Sequence, residues 1–269
     1  MLAGALGAVF LAANSARAEV LAPTKTPYAP AVDGINGKID GFGGSLANHG
    51  IYGSKGAISF PLGGPWGLQI DGTVGSYDQN FFGSIGGHLF WRNPQQGLLG
   101  IYADYTYLDQ FGGAHVTQFA VEGEYYWQRW TLQGIAGVEF GNNASQTTIS
   151  TSTVQPAGIV PGVTTTNTFT EGYDVKTRFF DQINLKYYLT DNWDAYVGHR
   201  YLGGKNALAL GSEYALPLGN GIMGSAFVEG RLGEDDFHGV WGGLQFHFGP
   251  TGKTLMARER QGDPNIIDN

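Results

Sequence analysis

The sequence predicts an all-β fold, a single transmembrane barrel of about twelve antiparallel strands, and three observations carry that prediction. Apolar and polar residues alternate with a period of two along most of the chain. Charged residues make up only 14 % of the 269 residues, while 42 % are hydrophobic and 13 % aromatic, so there are few charges to cover a water-facing surface. No stretch approaches the roughly 20 consecutive apolar residues of a membrane helix, so a chain of this kind crosses a bilayer as strands.

Composition also excludes whole classes of function. The 44 glycines have no fixed period, which rules out a collagen helix, and the apolar content rules out a disordered chain. A formal charge of −8 removes the usual attraction to phosphate, so no nucleic-acid partner is expected. With no Cys there is no disulfide framework, thiolate metal site or Cys nucleophile, and no cofactor or metal is expected.

At the N-terminus an apolar run from Leu2 to Ala13 precedes Ala16-Arg17-Ala18, the A-x-A pattern of a secretory cleavage site, so 1–18 reads as a signal peptide. No basic residue precedes the run, which leads to the expectation of a start upstream of Met1. Residues 19–34, with Pro23, Pro27 and Pro30, read as an extended leader. The barrel is assigned to 35–248. Residues 249–269, with Lys253, Arg258, Glu259 and Arg260, read as an irregular, solvated periplasmic tail.

Within 35–248 the first strands are predicted at about 35–47, 50–62 and 67–77. From Phe81 to Trp91 one face carries Phe81, Ile85, Leu89 and Trp91 and the other Ser84 and His88. The same rule sets Leu99, Ile101, Ala103, Tyr105 and Tyr107 against Tyr102, Asp104 and Thr106, then Phe119, Val121, Tyr125 and Trp127 against Gln118, Glu122 and Glu124. It sets Trp130, Leu132, Ala136, Val138 and Phe140 against Thr131, Gln133 and Glu139. A Thr-, Ser-, Pro- and Gly-rich stretch, 142–172, breaks the pattern and is predicted as a long irregular extracellular loop. After a strand near 173–188, Trp193, Ala195, Val197 and Tyr201 oppose Asp194 and Arg200, and Leu208, Leu210, Tyr214 and Leu216 oppose Glu213. Ile222, Ala226, Val228 and Leu232 then oppose Ser225, Glu229 and Arg231, and Val240, Leu244, Phe246 and Phe248 oppose Gln245 and His247.

A soluble β-sandwich also alternates, but its outer face would be dense in charge. A lipid-facing exterior accounts for the sparse charges by placing them in a lumen. Tryptophan placement agrees. With the N-terminus in the periplasm, Trp66, Trp91, Trp127, Trp130 and Trp193 fall at the connections returning there, the pattern of one interfacial girdle. Short turns on that side and the long 142–172 segment on the other match outer-membrane topology.

The chain therefore resembles Gram-negative outer-membrane β-barrel proteins, and is similar to small porin-like barrels of alphaproteobacteria. Its closing strand, Trp241-Gly242-Gly243-Leu244-Gln245-Phe246-His247-Phe248, is similar to their terminal assembly signal, with Gly243, Phe246 and Phe248 at the signal positions. Trp241 departs from that pattern, standing where a polar residue is common, and the chain continues for 21 residues beyond Phe248. The resemblance implies insertion by the barrel-assembly machinery and a surround of outer-membrane lipid and lipopolysaccharide.

The predicted lumen face collects Asp71, His88, Arg92, Asp104, Glu122, Glu124, Glu139, Lys176, Arg178, Lys186, Arg200, Glu213, Glu229 and Arg231. Such groups either line a water-filled path and set its solute preference or pair into a network that fills a narrow barrel. Twelve strands lie between the side-chain-filled and the open sizes, so both readings stand. The first is a porin-like channel for small polar solutes or ions, and the second a structural or surface barrel with a plugged lumen. A third, an outer-membrane lipid hydrolase, rests on Asp181, His199 and Ser212 falling on one outward face of three successive strands, the parts of a Ser-His-Asp set. The run Glu234-Asp235-Asp236 reads as a solvated turn, without the ligand spacing of a calcium loop.

Overall fold

Fourteen strands and one short helix make up the described residues, 29–109, 113–154, 163–235 and 237–262, of the computed structural model. The strands are β1 (Asn36–Leu46), β2 (His49–Gly63), β3 (Trp66–Tyr77), β4 (Asn80–Asn93), β5 (Gly97–Leu108), β6 (Ala114–Trp127) and β7 (Trp130–Gly141). They continue as β8 (Asn143–Val154), β9 (Val163–Asp174), β10 (Arg178–Thr190), β11 (Trp193–Leu202), β12 (Lys205–Gly219), β13 (Ile222–Gly233) and β14 (His238–Phe248), and α1 (Leu255–Gln261) follows. Twelve strands close into an antiparallel barrel in the order β1-β14-β13-β12-β11-β10-β7-β6-β5-β4-β3-β2. The expected strand count holds.

Closure runs from Gly37↔Phe248 to Leu46↔Gly239, so no strand edge is left along the wall. Gly243 lets β14 lie close against β1, since a Cβ there would sit 2.0 Å from the Gly41 carbonyl oxygen. Two-residue turns join several hairpins. Ala47 and Asn48, and Asp78 and Gln79, all have positive φ, the left-handed pair whose twist matches that of the flanking strands. Pro61 and Pro217 stand beside register shifts at the ends of β2 and β12, where a missing N–H disturbs the ladder least.

The two faces divide as the alternation requires. Outward side chains such as Ile101, Val121 and Leu244 are 57–60 % exposed, whereas Gln182 and Arg200, pointing inward, are 0 % and 2 % exposed. An apolar surface of that extent needs a non-aqueous surround.

Three segments differ from expectation. Residues 142–172 hold a two-stranded ribbon, β8 and β9, paired from Asn143↔Asp174 to Val154↔Val163. Thr- and Ser-rich chain favours extended backbone, and because Ser145, Ile149 and Thr168 are all exposed, neither face has to be apolar, so no alternation marked the strands. The tail is helical over Leu255–Gln261, with Thr254 as N-cap. Its leader-side neighbours Ala31 and Val32 are buried against Phe90 and Leu98. The predicted signal peptide and the leader up to residue 28 lie outside the described residues, as does Asp236.

Candidate functional site: the lumen and its periplasmic mouth

Period-two alternation on twelve tilted strands delivers a polar lumen. Asp71, His88, Arg92, Asp104, Glu122, Glu139, Lys186, Arg200, Glu229 and Arg231 are all buried there, and Glu124 and Glu213 are half-buried. Arg178 sits at the far rim and donates to the Gly203 carbonyl oxygen. Lys176 is not on the wall. It is exposed in the connection between β9 and β10, because β10 starts at Arg178, later than alternation suggested.

These groups associate along the wall, between neighbouring and next-but-one strands. His88 holds a carboxylate at each ring nitrogen, Asp71 Oδ2 at 2.9 Å from Nε2 and Glu122 Oε2 at 2.8 Å from Nδ1, with the Tyr102 ring centroid 4.7 Å away. Across the barrel, Glu229 Oε1 accepts from Arg231 Nε at 2.7 Å and lies 3.8 Å from Arg200 Nη2, while the Tyr196 hydroxyl donates to the same carboxylate. Arg200 Nη1 donates to Asn184 Oδ1 at 2.6 Å, Asn184 to Gln133 at 3.3 Å, and Gln133 to Glu124 at 3.1 Å, a chain that runs along the wall over the four successive strands β11, β10, β7 and β6. Pairing of this kind is what makes buried charge tolerable.

The lumen among the described residues includes two cavities. One of about 100 Å³ lies among Lys38, Lys186, Arg200, Glu213 and Glu229, toward the tryptophan rim. The other, about 120 Å³, lies among Phe42, Lys55, Asp71, Asp104, Arg231 and Trp241, toward the opposite rim. Each has room for only a few waters. Sequence reasoning missed Lys38, Asp40 and Lys55 as lumen groups, while Asp194, placed on the polar face of its strand, also lies in the lumen. Lys38, Asp40 and Lys55 share the inward phase of their strands, but glycines at Gly37, Gly41, Gly53 and Gly56 hide that phase on β1 and β2. Trp241 also faces inward, with the Arg231 guanidinium 4.9 Å from its ring, which accounts for an aromatic in the closing motif. Phe246 and Phe248 face outward on β14.

At the tryptophan rim the lumen is covered. Trp66 pairs with Trp91 and Trp127 with Trp130 at the ends of their hairpins, and Trp193 begins β11 on the same side. α1 lies across the mouth they surround. Leu255 is 0 % exposed against Ala215 and Met223. Lys186 Nζ lies 2.7 Å from Glu259 Oε1 and 3.4 Å from Asp194 Oδ2, and the Tyr188 hydroxyl donates to Glu259. Asp194, Glu213 and Glu259 each bring a carboxylate oxygen within 4.8 Å of the others, a spacing that could hold a cation and that the Lys186 ammonium already serves.

On the outer wall the expected acid and imidazole do meet, but Ser212 does not join them. His199 Nδ1 is 3.1 Å from Asp181 Oδ1, and His199 Nε2 is 3.1 Å from Asn206 Oδ1. Ser212 instead donates to the Asp194 carbonyl oxygen at 2.7 Å and accepts from Trp193 Nε1 at 3.0 Å. The pairing His199↔Leu208 places Ser212 four residues further along β12, about 13 Å away. Beyond the strands, Glu234 accepts from the Asn206 backbone N–H at 2.9 Å and its side-chain amide at 3.2 Å, donors that hold its carboxyl below the usual carboxylate range. Asp235 pairs with Lys205 at 3.1 Å.

No protein-family model and no curated protein matches the sequence. Among solved structures, an outer membrane channel from Pseudomonas putida F1 matches with a TM-score of 0.53 at 9 % identity, over 85 % of this chain and 99 % of that one. A structure from work on the in-meso crystallization of membrane proteins matches with a TM-score of 0.52 at 12 % identity, over 87 % of this chain and 96 % of that one. The KdgM porin matches with a TM-score of 0.48 at 7 % identity, over 79 % of this chain and 99 % of that one. The fold is that of outer-membrane barrels.

Proposed function

We propose that the protein is an outer-membrane, porin-like channel that passes small polar solutes or ions. The observation that carries this reading is the division of the wall: an apolar exterior fit for lipid encloses an interior lined by carboxylates, guanidinium and ammonium groups. A wall meant only to hold a barrel together has no need of so many buried ionic groups, which are weak contributors to stability. The resemblance to small porin-like barrels of alphaproteobacteria rests on the architecture of 35–248, and the closing motif adds the resemblance to outer-membrane barrels at large, both in keeping with this function. Insertion through the barrel-assembly machinery follows from the same motif.

The second reading, a structural barrel with a filled lumen, is favoured by the small cavities. Planar-bilayer recordings separate the two. Discrete conductance steps from the purified full chain support the channel, and silence across a range of voltages and salts supports the filled barrel. The hydrolase reading lacks a nucleophile beside His199, and phospholipid incubated with the protein is expected to stay intact, with Ser212→Ala indistinguishable from the parent.

A further inference from the structure

We infer that α1 is a displaceable plug, an autoinhibitory segment seated in the periplasmic mouth whose departure opens the lumen. The inference rests on the channel reading and adds where that channel is shut and by what.

Its contacts span the mouth from side to side. Arg258 Nη2 donates to the Gly221 carbonyl oxygen at 2.8 Å in the turn between β12 and β13. At the other end of the segment, Arg92 Nη1 on β4 donates to the Gly262 carbonyl oxygen at 3.2 Å. β12 and β4 stand six places apart in the twelve-strand order, on opposite sides of the barrel. Between them Arg260 donates to the Trp130 carbonyl oxygen at 2.9 Å and sits over the rings of Tyr126 and Tyr188, and Glu259 reaches the Lys186 ammonium. A segment tied to opposite sides of an opening, and to the wall between them, lies over that opening.

The same contacts show that the segment can leave. A seven-residue helix is too short to persist alone, so it exists only while docked. Its docking is mainly ionic and hydrogen-bonded, with Leu255 its one fully buried apolar side chain, and such contacts are as well satisfied by water as by the wall. The six residues between β14 and α1 include Gly252 at φ +80°, a joint that needs no side chain to accommodate its turn. No strand of the barrel depends on α1 for its ladder, so release leaves the wall closed.

The test uses the full chain in planar bilayers and exploits the absence of native Cys. The variant Glu259→Gln with Arg260→Ala removes the ion pair to Lys186 and the contacts to Trp130 and the tyrosine rings. It is expected to raise the open-to-closed ratio about tenfold or more, the response to losing ~1.4 kcal/mol of docking. Adding Asp191→Cys and Met256→Cys to that variant allows a disulfide where the Met256 N–H meets the Asp191 carbonyl oxygen at 3.0 Å. Oxidation with diamide should return the ratio to the parent value, and dithiothreitol should restore opening in the same molecules, which excludes misfolding as the cause. Conductance steps that are identical in parent, released and locked forms overturn the plug and leave the channel standing. Silence in all three forms overturns the channel reading and the plug with it.

Discussion

A charge placed on the outer wall at mid-height should unfold the barrel far more than the same charge at the rim, and β6 allows the difference to be worked out. Val121 is 60 % exposed on the outer face and Trp127 marks the rim. Six residues at about 3.3 Å each, on a strand tilted by about 40°, put Val121 about 15 Å from that rim, near the middle of an apolar band about 25 Å tall. Val121→Arg should therefore cost about 2–4 kcal/mol, and Tyr125→Arg, close to the rim, about 0–1 kcal/mol. The assay is urea titration of protein refolded into phosphocholine vesicles, followed by tryptophan fluorescence. Equal costs at the two positions, or a neutral Val121→Arg, would refute a bilayer contact at this depth.

Three further outcomes are expected. Lys186→Met leaves Asp194 and Glu259 without the ammonium they share and should lower stability by about 3–5 kcal/mol in the same titration, whereas Lys186→Arg should retain most of it. Gly243→Ala drives a Cβ against the Gly41 carbonyl oxygen at the β1–β14 seam, so the folded band on a semi-native gel should be largely lost. Replacing 143–174 with a short turn should leave the unfolding free energy within about 0.5 kcal/mol of the parent, because β8 and β9 pair only with each other.

What was legible in the sequence was whatever one face of a strand had to satisfy. From Phe81 to Phe140, and from Trp193 to Phe248, lipid on one side and charge on the other enforce the alternation, and strand phase followed from it. On β1 and β2 glycines blur the phase, which is why Lys38 and Lys55 escaped notice. The β8–β9 ribbon has no face to bury and left no periodic trace. α1 was hidden for another reason: Arg258 and Glu259 are the residue types of a solvated tail, and only the carbonyl, ammonium and hydroxyl groups awaiting them in the mouth, brought together by distant strands, make their burial possible. His199 and Asp181 were placed correctly as neighbours, but Ser212 was not, since the register of β12 against β11 is a property of the hairpin turn and not of either strand's pattern.

The claim on which all of this stands is that one face of every barrel strand touches hydrocarbon. Single cysteines placed one at a time from Gln118 to Tyr125 on β6, labelled with a fluorophore and reconstituted in vesicles containing nitroxide-bearing acyl chains, report it residue by residue. Quenching should be strong at 119, 121, 123 and 125 and weak at 118, 120, 122 and 124. Uniform quenching, or none in a protein that stays dissolved without detergent, would contradict the account.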